Sequence, residues 1–509
     1  MSVPSRVFRL ELVGISCLAL LGITLRCREY LLNRSFWYDE VSLALNVIHR
    51  DVWTLFTEPL DYVQTAPPGF LAVARAVAVA HGPFDWTFRL IPLIAGVAVV
   101  LLAVPLARRE LASAVAKLTF VGLVALSPVL IFYSSEFKQY SSDALAAIAL
   151  LTAFSYRSSR HGTLLLAGIG FAALVCSLPA VFVTVPAGLF LLYEAVRSRR
   201  YNQLTIVGLA WLAGAALHGA YVLQAGVHHE FMLGWWRTYG GFPPYPANSV
   251  ADLLWYPQAF AKFMYLAFKT PGFAGPHRNL ALSSPAAFGL AIAFAASLAL
   301  AFVWRRPMGL IAAAAIVLTV IAAAFEIYPF SSRVVIFLVP LAYFTIVAAI
   351  DAVDLKLGLL PAGICALLLF AVMAPVTRAV LVGSEVPKAA NFREALDVVA
   401  RKSVDGDALA IEPWTGRVFR FYRSERAPNV RTFVLRERGS ARSMVKQAKG
   451  LLAHAKRKGY SRIWYLESLP ISESAKRLIE EVGDEFPIVL TWERGSTRLV
   501  VFDLTEKPQ

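Results

Sequence analysis

Apolar runs long enough to cross a bilayer as helices recur near 10–28, 90–107, 118–133, 142–156, 163–178, 179–195, 204–224, 286–304, 308–325, 334–350 and 358–376. They predict a polytopic α-helical membrane protein with about 11 transmembrane helices. Within 163–195, Ser177, Leu178 and Pro179 leave open a break of one long segment into a tight hairpin instead of two full crossings. The first run has no small-residue cleavage site behind it and continues into an Arg-containing segment. That predicts a retained span, not a signal peptide.

Two connections between these runs are long. Loop 29–89 holds helical stretches at 41–48 and 70–80, separated by Thr65, Ala66, Pro67 and Pro68; proline at a helix start gives up only an amide that has no helical partner. Loop 225–285 is rich in aromatic residues, proline and glycine (GWWRTYGGFPPYP), a composition suited to the headgroup level. Beyond about residue 385 the periodicity changes. NFREALDVVARKS places an Asn391/Glu394 capping pair ahead of an amphipathic helix. DALAIEP and RIWYLES read as buried strands, ARSMVKQAKGLLAHAKRKG and SESAKRLIEEVG as helices, and IVLTWE with RLVVFDL around Gly495 as a terminal hairpin. The division expected is therefore a membrane domain over 1–380 and a small α/β domain over 385–509.

Composition agrees with the pattern. Of 509 residues, 58% are hydrophobic and 16% charged, above the usual apolar share of about 45–50% in soluble domains, and the mean hydropathy is +0.59. The net charge of +15 does not form a nucleic-acid patch. Its basic residues gather in short connections: Arg6 and Arg9, Arg108 and Arg109, Arg157 and Arg160, Arg197 with Arg199 and Arg200, Arg305 and Arg306, and Lys356. These fall on alternate connections and by the positive-inside rule mark the cytoplasmic side. The N-terminus is then cytoplasmic, and 29–89, 134–141, 225–285, 326–333 and the C-terminal domain are extracytoplasmic. Cys17, Cys27, Cys176 and Cys365 lie in or beside apolar runs, so they staple no exterior domain, and Cys and His do not cluster at zinc spacings.

Candidate chemistry collects on that outer side. Asp39 and Glu40 follow the aromatic triplet in SFWYDEVSLALNV; Glu136, Lys138, Gln139, Tyr140 and Asp143 lie in YSSEFKQYSSDA; Tyr328 and Arg333 lie in EIYPFSSR. Each has a plain alternative. Acids open helices because they complement the dipole, YSSEFKQYSSDA reads equally as a polar turn with an internal Glu/Lys pair, and Arg333 as a snorkelling anchor. His228 and His229 are candidate ligands or surface residues, and Gln64 with Pro67 and Pro68 is a weak signal alone. Adjacent helical residues point about 100° apart, so at most one of Asp39 and Glu40 faces a given substrate atom.

Taken together, FWYDEVSLALNV, DYVQTAPPGFLAVARAVAVAHGPFDWTFRLIPLIAG, YSSEFKQYSSDALAAIAL and YPFSSRVVIFLVPLAYF resemble bacterial GT-C glycosyltransferases. The similar families depend on polyprenyl-phosphate sugars and include protein O-mannosyltransferases, lipid A aminoarabinose transferases and rhizobial lipopolysaccharide-core transferases. The resemblance covers about residues 10–350 and leaves the tail unmatched. It implies a sugar donor on a polyprenyl phosphate, a glycan, lipid or protein acceptor, inverting transfer at the outer face of a bacterial inner membrane, and membrane lipids but no nucleic acid as partners. It also implies Asp39 as the base, Tyr38, Glu40 and Gln64 on the acceptor side, and Lys138, Gln139, Tyr140 and Arg333 about the donor phosphate. Lys138 stands where many relatives carry Arg. Such chemistry is consistent with these residue types: a carboxylate takes the proton of a weakly nucleophilic hydroxyl, and the departing phosphate needs no acid but needs its charge held. The connections between the apolar runs hold no Asp-x-Asp, the only one, Asp405-Gly406-Asp407, lying in the tail, so neither a metal nor another cofactor is expected. The competing readings are a transporter or flippase for a lipid-linked substrate, whose site belongs near the midplane on broken helices, and a non-catalytic envelope-assembly partner.

Overall fold

The computed structural model describes residues 5–199, 201–224, 230–269, 285–303, 307–382, 391–426, 429–435, 441–468 and 479–505. The chain divides into two compact units, one of Met1–Leu32 with Arg50–Glu385, the other of Asn33–His49 with Val386–Gln509.

The first unit is helical. Seven described helices are long and apolar enough to cross a membrane: Arg9–Leu31, Asp85–Glu110, Leu178–Ser198, Tyr201–Gln224, Pro307–Ala324, Ser332–Leu357 and Leu359–Ala379. The expected runs near 118–133, 142–156 and 163–178 correspond to shorter apolar helices, Ala114–Leu126, Tyr140–Ser155 and Gly162–Cys176, and the run near 286–304 to helix Pro285–Val303. Local chemistry explains two of these breaks. The run at 118–133 divides at Ser127, whose Oγ accepts from the Leu130 amide at 3.5 Å and so caps a second helix beginning at Pro128. At the 163–195 junction Ser177 is extended and a short 3-10 turn, Leu178–Ala180, separates two helices. Arg200, Arg305 and Arg306 lie outside the described residues.

Small residues let these helices approach closely. A Cβ on Gly22 would lie 2.7 Å from that of Ala125, and one on Gly96 would lie 2.6 Å from that of Ser134. The first contact brings Arg26 onto the end of helix Ala114–Leu126. Arg26 is fully buried, and its Nη1 donates to the Gly22 and Ala125 carbonyls at 2.9 Å while Nη2 donates to that of Val124 at 3.0 Å. A cation here satisfies carbonyls that a helix C-terminus leaves open.

The second unit holds a five-stranded sheet: β1 (Asp407–Ile411), β2 (Arg431–Val434), β3 (Arg462–Glu467), β4 (Ile488–Arg494) and β5 (Thr497–Asp503), in the order β2-β1-β3-β5-β4. β1 pairs in parallel with β2 and β3, and β5 runs antiparallel to β3 and β4. β1 is buried along its whole length, as a central parallel strand requires. Val445, Ala448, Leu452 and Ala455 of helix Ala441–Arg457 pack on Ala408, Ala410, Ile463 and Tyr465. The terminal hairpin turns at Gly495, φ +59°. Two elements carry no expectation from the sequence, helix Thr415–Arg426 and β2. One expected device is replaced. Asn391 precedes helix Phe392–Lys402 without a side-chain capping bond; its amide donates to Thr497 Oγ1 at 3.0 Å, and Glu394 instead pairs with Arg494 at 2.7 Å. Of the helix expected at SESAKRLIEEVG, the part up to 478 lies outside the described residues.

Candidate active site

In the membrane unit, the polar stretch after Tyr133 is packed inside the protein. Ser134, Ser135, Glu136, Phe137, Lys138 and Tyr140 are all buried. Phe137 is the tether: its ring stacks on Phe88 at 4.5 Å and on Phe70 at 5.7 Å, so the surrounding polar groups are drawn inward with it. Lys138, 5% exposed, donates through Nζ to Gln64 Oε1. Gln139 Nε2 donates to the Thr65 carbonyl at 3.0 Å. Next in the chain, the Ala66 carbonyl accepts from Tyr221 Oη at 2.6 Å, and Pro68 starts helix Pro68–His81. The segment 64–68 is thereby bound to 138–139, which the sequence places in a different connection.

Tyr140 carries the cluster onward. The Arg333 guanidinium lies 5.7 Å over its ring, within cation–π range, and Tyr133 meets it edge-on at 5.3 Å. Tyr328 donates to the Val334 carbonyl at 2.8 Å. Its phenol is pushed well above the usual range, first by burial and then by Asp143 and Tyr140 nearby. Asp143 is 4% exposed. Gln64, Lys138, Gln139, Tyr140, Asp143, Tyr328 and Arg333 thus form one neighbourhood containing two cationic side chains. Two of its members follow a residue in the left-handed region: Val63, φ +54°, precedes Gln64, and Ser332, φ +53°, precedes Arg333. For a β-branched residue that conformation is a true outlier, and such strain is held where surrounding packing over-determines it.

Asp39 and Glu40 belong to the second unit, in the first turn of helix Tyr38–His49. They point differently, as the helical angle requires. Glu40 is 1% exposed and its Oε2 accepts from the Trp37 amide at 3.2 Å, so it serves the opening of its own helix. Asp39 is half-buried. The helix is held by aromatic contacts within the unit: Tyr38 meets Trp414 at 5.3 Å, Arg417 lies 4.7 Å over the Tyr38 ring, and Phe36 meets Phe421 at 5.2 Å.

His228 and His229 lie outside the described residues. Among the described residues no group of three or more His, Cys, Asp or Glu side chains is placed to hold a metal ion. Polar groups that sequence reasoning passed over include Arg26 and the buried pair of positions Asp85 and Arg89, each 4% exposed in the first turns of helix Asp85–Glu110. Their only sequence signal is a charge set beside an apolar run, which by itself reads as an interfacial anchor.

No protein-family model and no curated protein sequence matches the chain. Solved structures do. ArnT from Cupriavidus metallidurans in the apo state aligns with a TM-score of 0.52 at 14% identity, over 98% of this chain and 98% of that one. The same protein bound to undecaprenyl phosphate gives 0.48 at 13% identity, over 99% and 98%. The Archaeoglobus fulgidus oligosaccharyltransferase in complex with Zn and sulfate gives 0.48 at 14% identity, over 89% of this chain and 67% of that one. The chain is a multi-pass membrane protein, and the fold it shares with ArnT is that of the GT-C glycosyltransferases.

Proposed function

We propose that the protein is an inverting membrane glycosyltransferase that moves a sugar from a polyprenyl-phosphate donor to an acceptor hydroxyl, with Asp39 as the base. One observation carries this reading: in a chain of this fold, an acid pair opens the helix after the first span, with Glu40 turned onto its own helix start and Asp39 left half-buried. Asp39 takes the hydroxyl proton as the oxygen attacks the anomeric carbon. The sugar–phosphate bond breaks on the opposite face, and the polyprenyl phosphate leaves with the bonding pair. Lys138 and Arg333 hold its charge, Arg333 through a planar fork matched to phosphate oxygens. Gln64 and Tyr140 fix those two cations through the contacts described above.

Reconstituted protein supplied with undecaprenyl-phosphate-linked hexoses and pentoses tests the reading through release of undecaprenyl phosphate. Asp39→Asn is expected to lower release on an active donor by about 10²–10⁴-fold while donor binding persists; full activity in that variant removes Asp39 from the mechanism. We further propose an inner-membrane orientation with the N-terminus cytoplasmic, from the basic connections. A single-cysteine probe placed after residue 385 should then react with an impermeant reagent outside the cytoplasm.

A further inference from the structure

The second unit joins 33–49 to a domain hundreds of residues downstream, and its contacts are specific. The Phe36 amide donates to Tyr422 Oη at 2.6 Å across a separation of 386 residues, in a buried environment. The Arg393 amide donates to Ser35 Oγ at 3.1 Å, and the Arg393 guanidinium reaches the Asn33 carbonyl. Tyr422 is itself fixed by Phe392 at 5.8 Å and Phe421 at 5.0 Å. On the helix proper, Tyr38 is gripped by Trp414 and Arg417.

The position of that grip in the sheet is informative. β1 lies between β2 and β3; the chain leaves β1 toward β2 through helix Thr415–Arg426, then crosses back through helix Ala441–Arg457 to β3 on the other side. The carboxyl end of β1 is therefore where the winding reverses, the place where open α/β sheets commonly receive ligands. Trp414 and Arg417 are on the turn and first helical residues there. The turn is stiff: Glu412 Oε2 accepts from the Thr415 amide and from its Oγ, both at 2.8 Å, and Thr415 Oγ accepts from the Ser468 amide at 2.9 Å. Here the switch point receives a segment of the protein's own chain.

We infer that the C-terminal α/β domain positions the proposed base, clasping the Asp39 helix at the carboxyl end of β1 through Tyr422, Trp414 and Arg417. This rests on the function proposed above and adds a role for the domain. Tyr422 and Arg417 are positioning residues: they act on residues 36 and 38, flanking Asp39 on its amino side. A base must be held to a fraction of an ångström to be effective, and a first turn alone frays.

Tyr422→Phe removes the acceptor of the Phe36 amide but keeps the ring against Phe392 and Phe421; Arg417→Ala removes the cation over Tyr38 at a half-buried position. Hydrogen exchange of the full-length protein in nanodiscs should show faster exchange across 33–49 in both variants, by about tenfold, with β1, β3 and β5 unchanged. Release of undecaprenyl phosphate from undecaprenyl-phosphate-linked sugar should fall about tenfold in kcat at constant donor KM, and Arg417→Lys should recover part of the loss. Unchanged exchange across 33–49 overturns the clasp. Faster exchange with unchanged kcat overturns the positioning role. Asp39→Asn measured beside them separates the two levels: full activity there sinks the assignment of the base, whereas the exchange result stands or falls by itself.

Discussion

The two sets of candidate residues are held by different means. Around Lys138 the polar groups are fastened by side-chain and backbone hydrogen bonds inside a helical unit, to Gln64 and Thr65, under the anchored ring of Phe137. Around Asp39 the fastening is largely aromatic, joined by hydrogen bonds from the Phe36 amide to Tyr422 and from Arg393 to Ser35 and Asn33. The first arrangement suits a site for an anion, because buried cations need polar neighbours already in place. The second suits a base, which needs an aimed but still accessible carboxylate. The proposed charge-holding thus rests on polar packing and the proposed aiming on rings.

The contrast is most sharply tested at Asp39, where the Asn variant should lose the most activity. Lys138→Ala should come next, with turnover falling on the order of a hundredfold and apparent donor affinity falling with it; loss of kcat at an unchanged donor KM would place Lys138 away from the ground-state phosphate. Arg26 asks whether every buried cation in the membrane unit serves chemistry. Its guanidinium is occupied by carbonyls at a helix end, so Arg26→Leu should destabilise the protein by about 2–4 kcal/mol, read as a lower unfolding temperature in detergent, with residual folded protein keeping its donor KM. The smallest effect concerns the central strand, β3, of the sheet in the second unit. Burial, reinforced by Glu412 and Glu493 and opposed by Arg498, pushes Glu467 up to about 7; Tyr465, on the same strand, has its own phenol held well above the usual range by burial and by Glu467 and Glu412, against Arg498. The folded state therefore keeps a proton that the unfolded chain releases near the ordinary value of 4.5. Stability from this group is full below that value and is lost as pH rises through about 7, at most about 3 kcal/mol. Glu467→Gln should flatten that dependence and leave the protein more stable at pH 8, as judged by hydrogen exchange in β1, β3 and β5; an unaltered pH profile would show that the carboxyl is ionised in the fold.

Much of this was legible along the chain, because hydrophobic period and breaker residues act locally. The apolar runs, the break at Ser177, the two helices of the first loop, the buried strands DALAI and RIWYLE and the terminal hairpin all follow from side chains whose neighbours in sequence decide their environment. The breaks that shortened some spans did so at Ser127 and Ser177, one of them next to a proline, also local features. Helix Thr415–Arg426 was missed because seven of its twelve residues are polar or charged, so its apolar face of Val418, Phe419, Phe421 and Tyr422 is diluted in any composition-based reading. β2 was missed because four residues, RTFV, are too few to show a period.

The sequence by itself determined that the chain is a helical membrane protein with an α/β tail and that its acids, Lys138 and Arg333 stand in connections between apolar runs, since burial cost and hydrophobic period are properties of short segments. Tertiary structure alone decided that Lys138 meets Gln64, that Arg333 covers Tyr140, that Arg26 is consumed by helix carbonyls, and that the Asp39 helix packs with the tail. Those are pairings between residues tens to hundreds of positions apart, and the free energy that selects them comes from complementary shapes and partners that only the folded chain brings together.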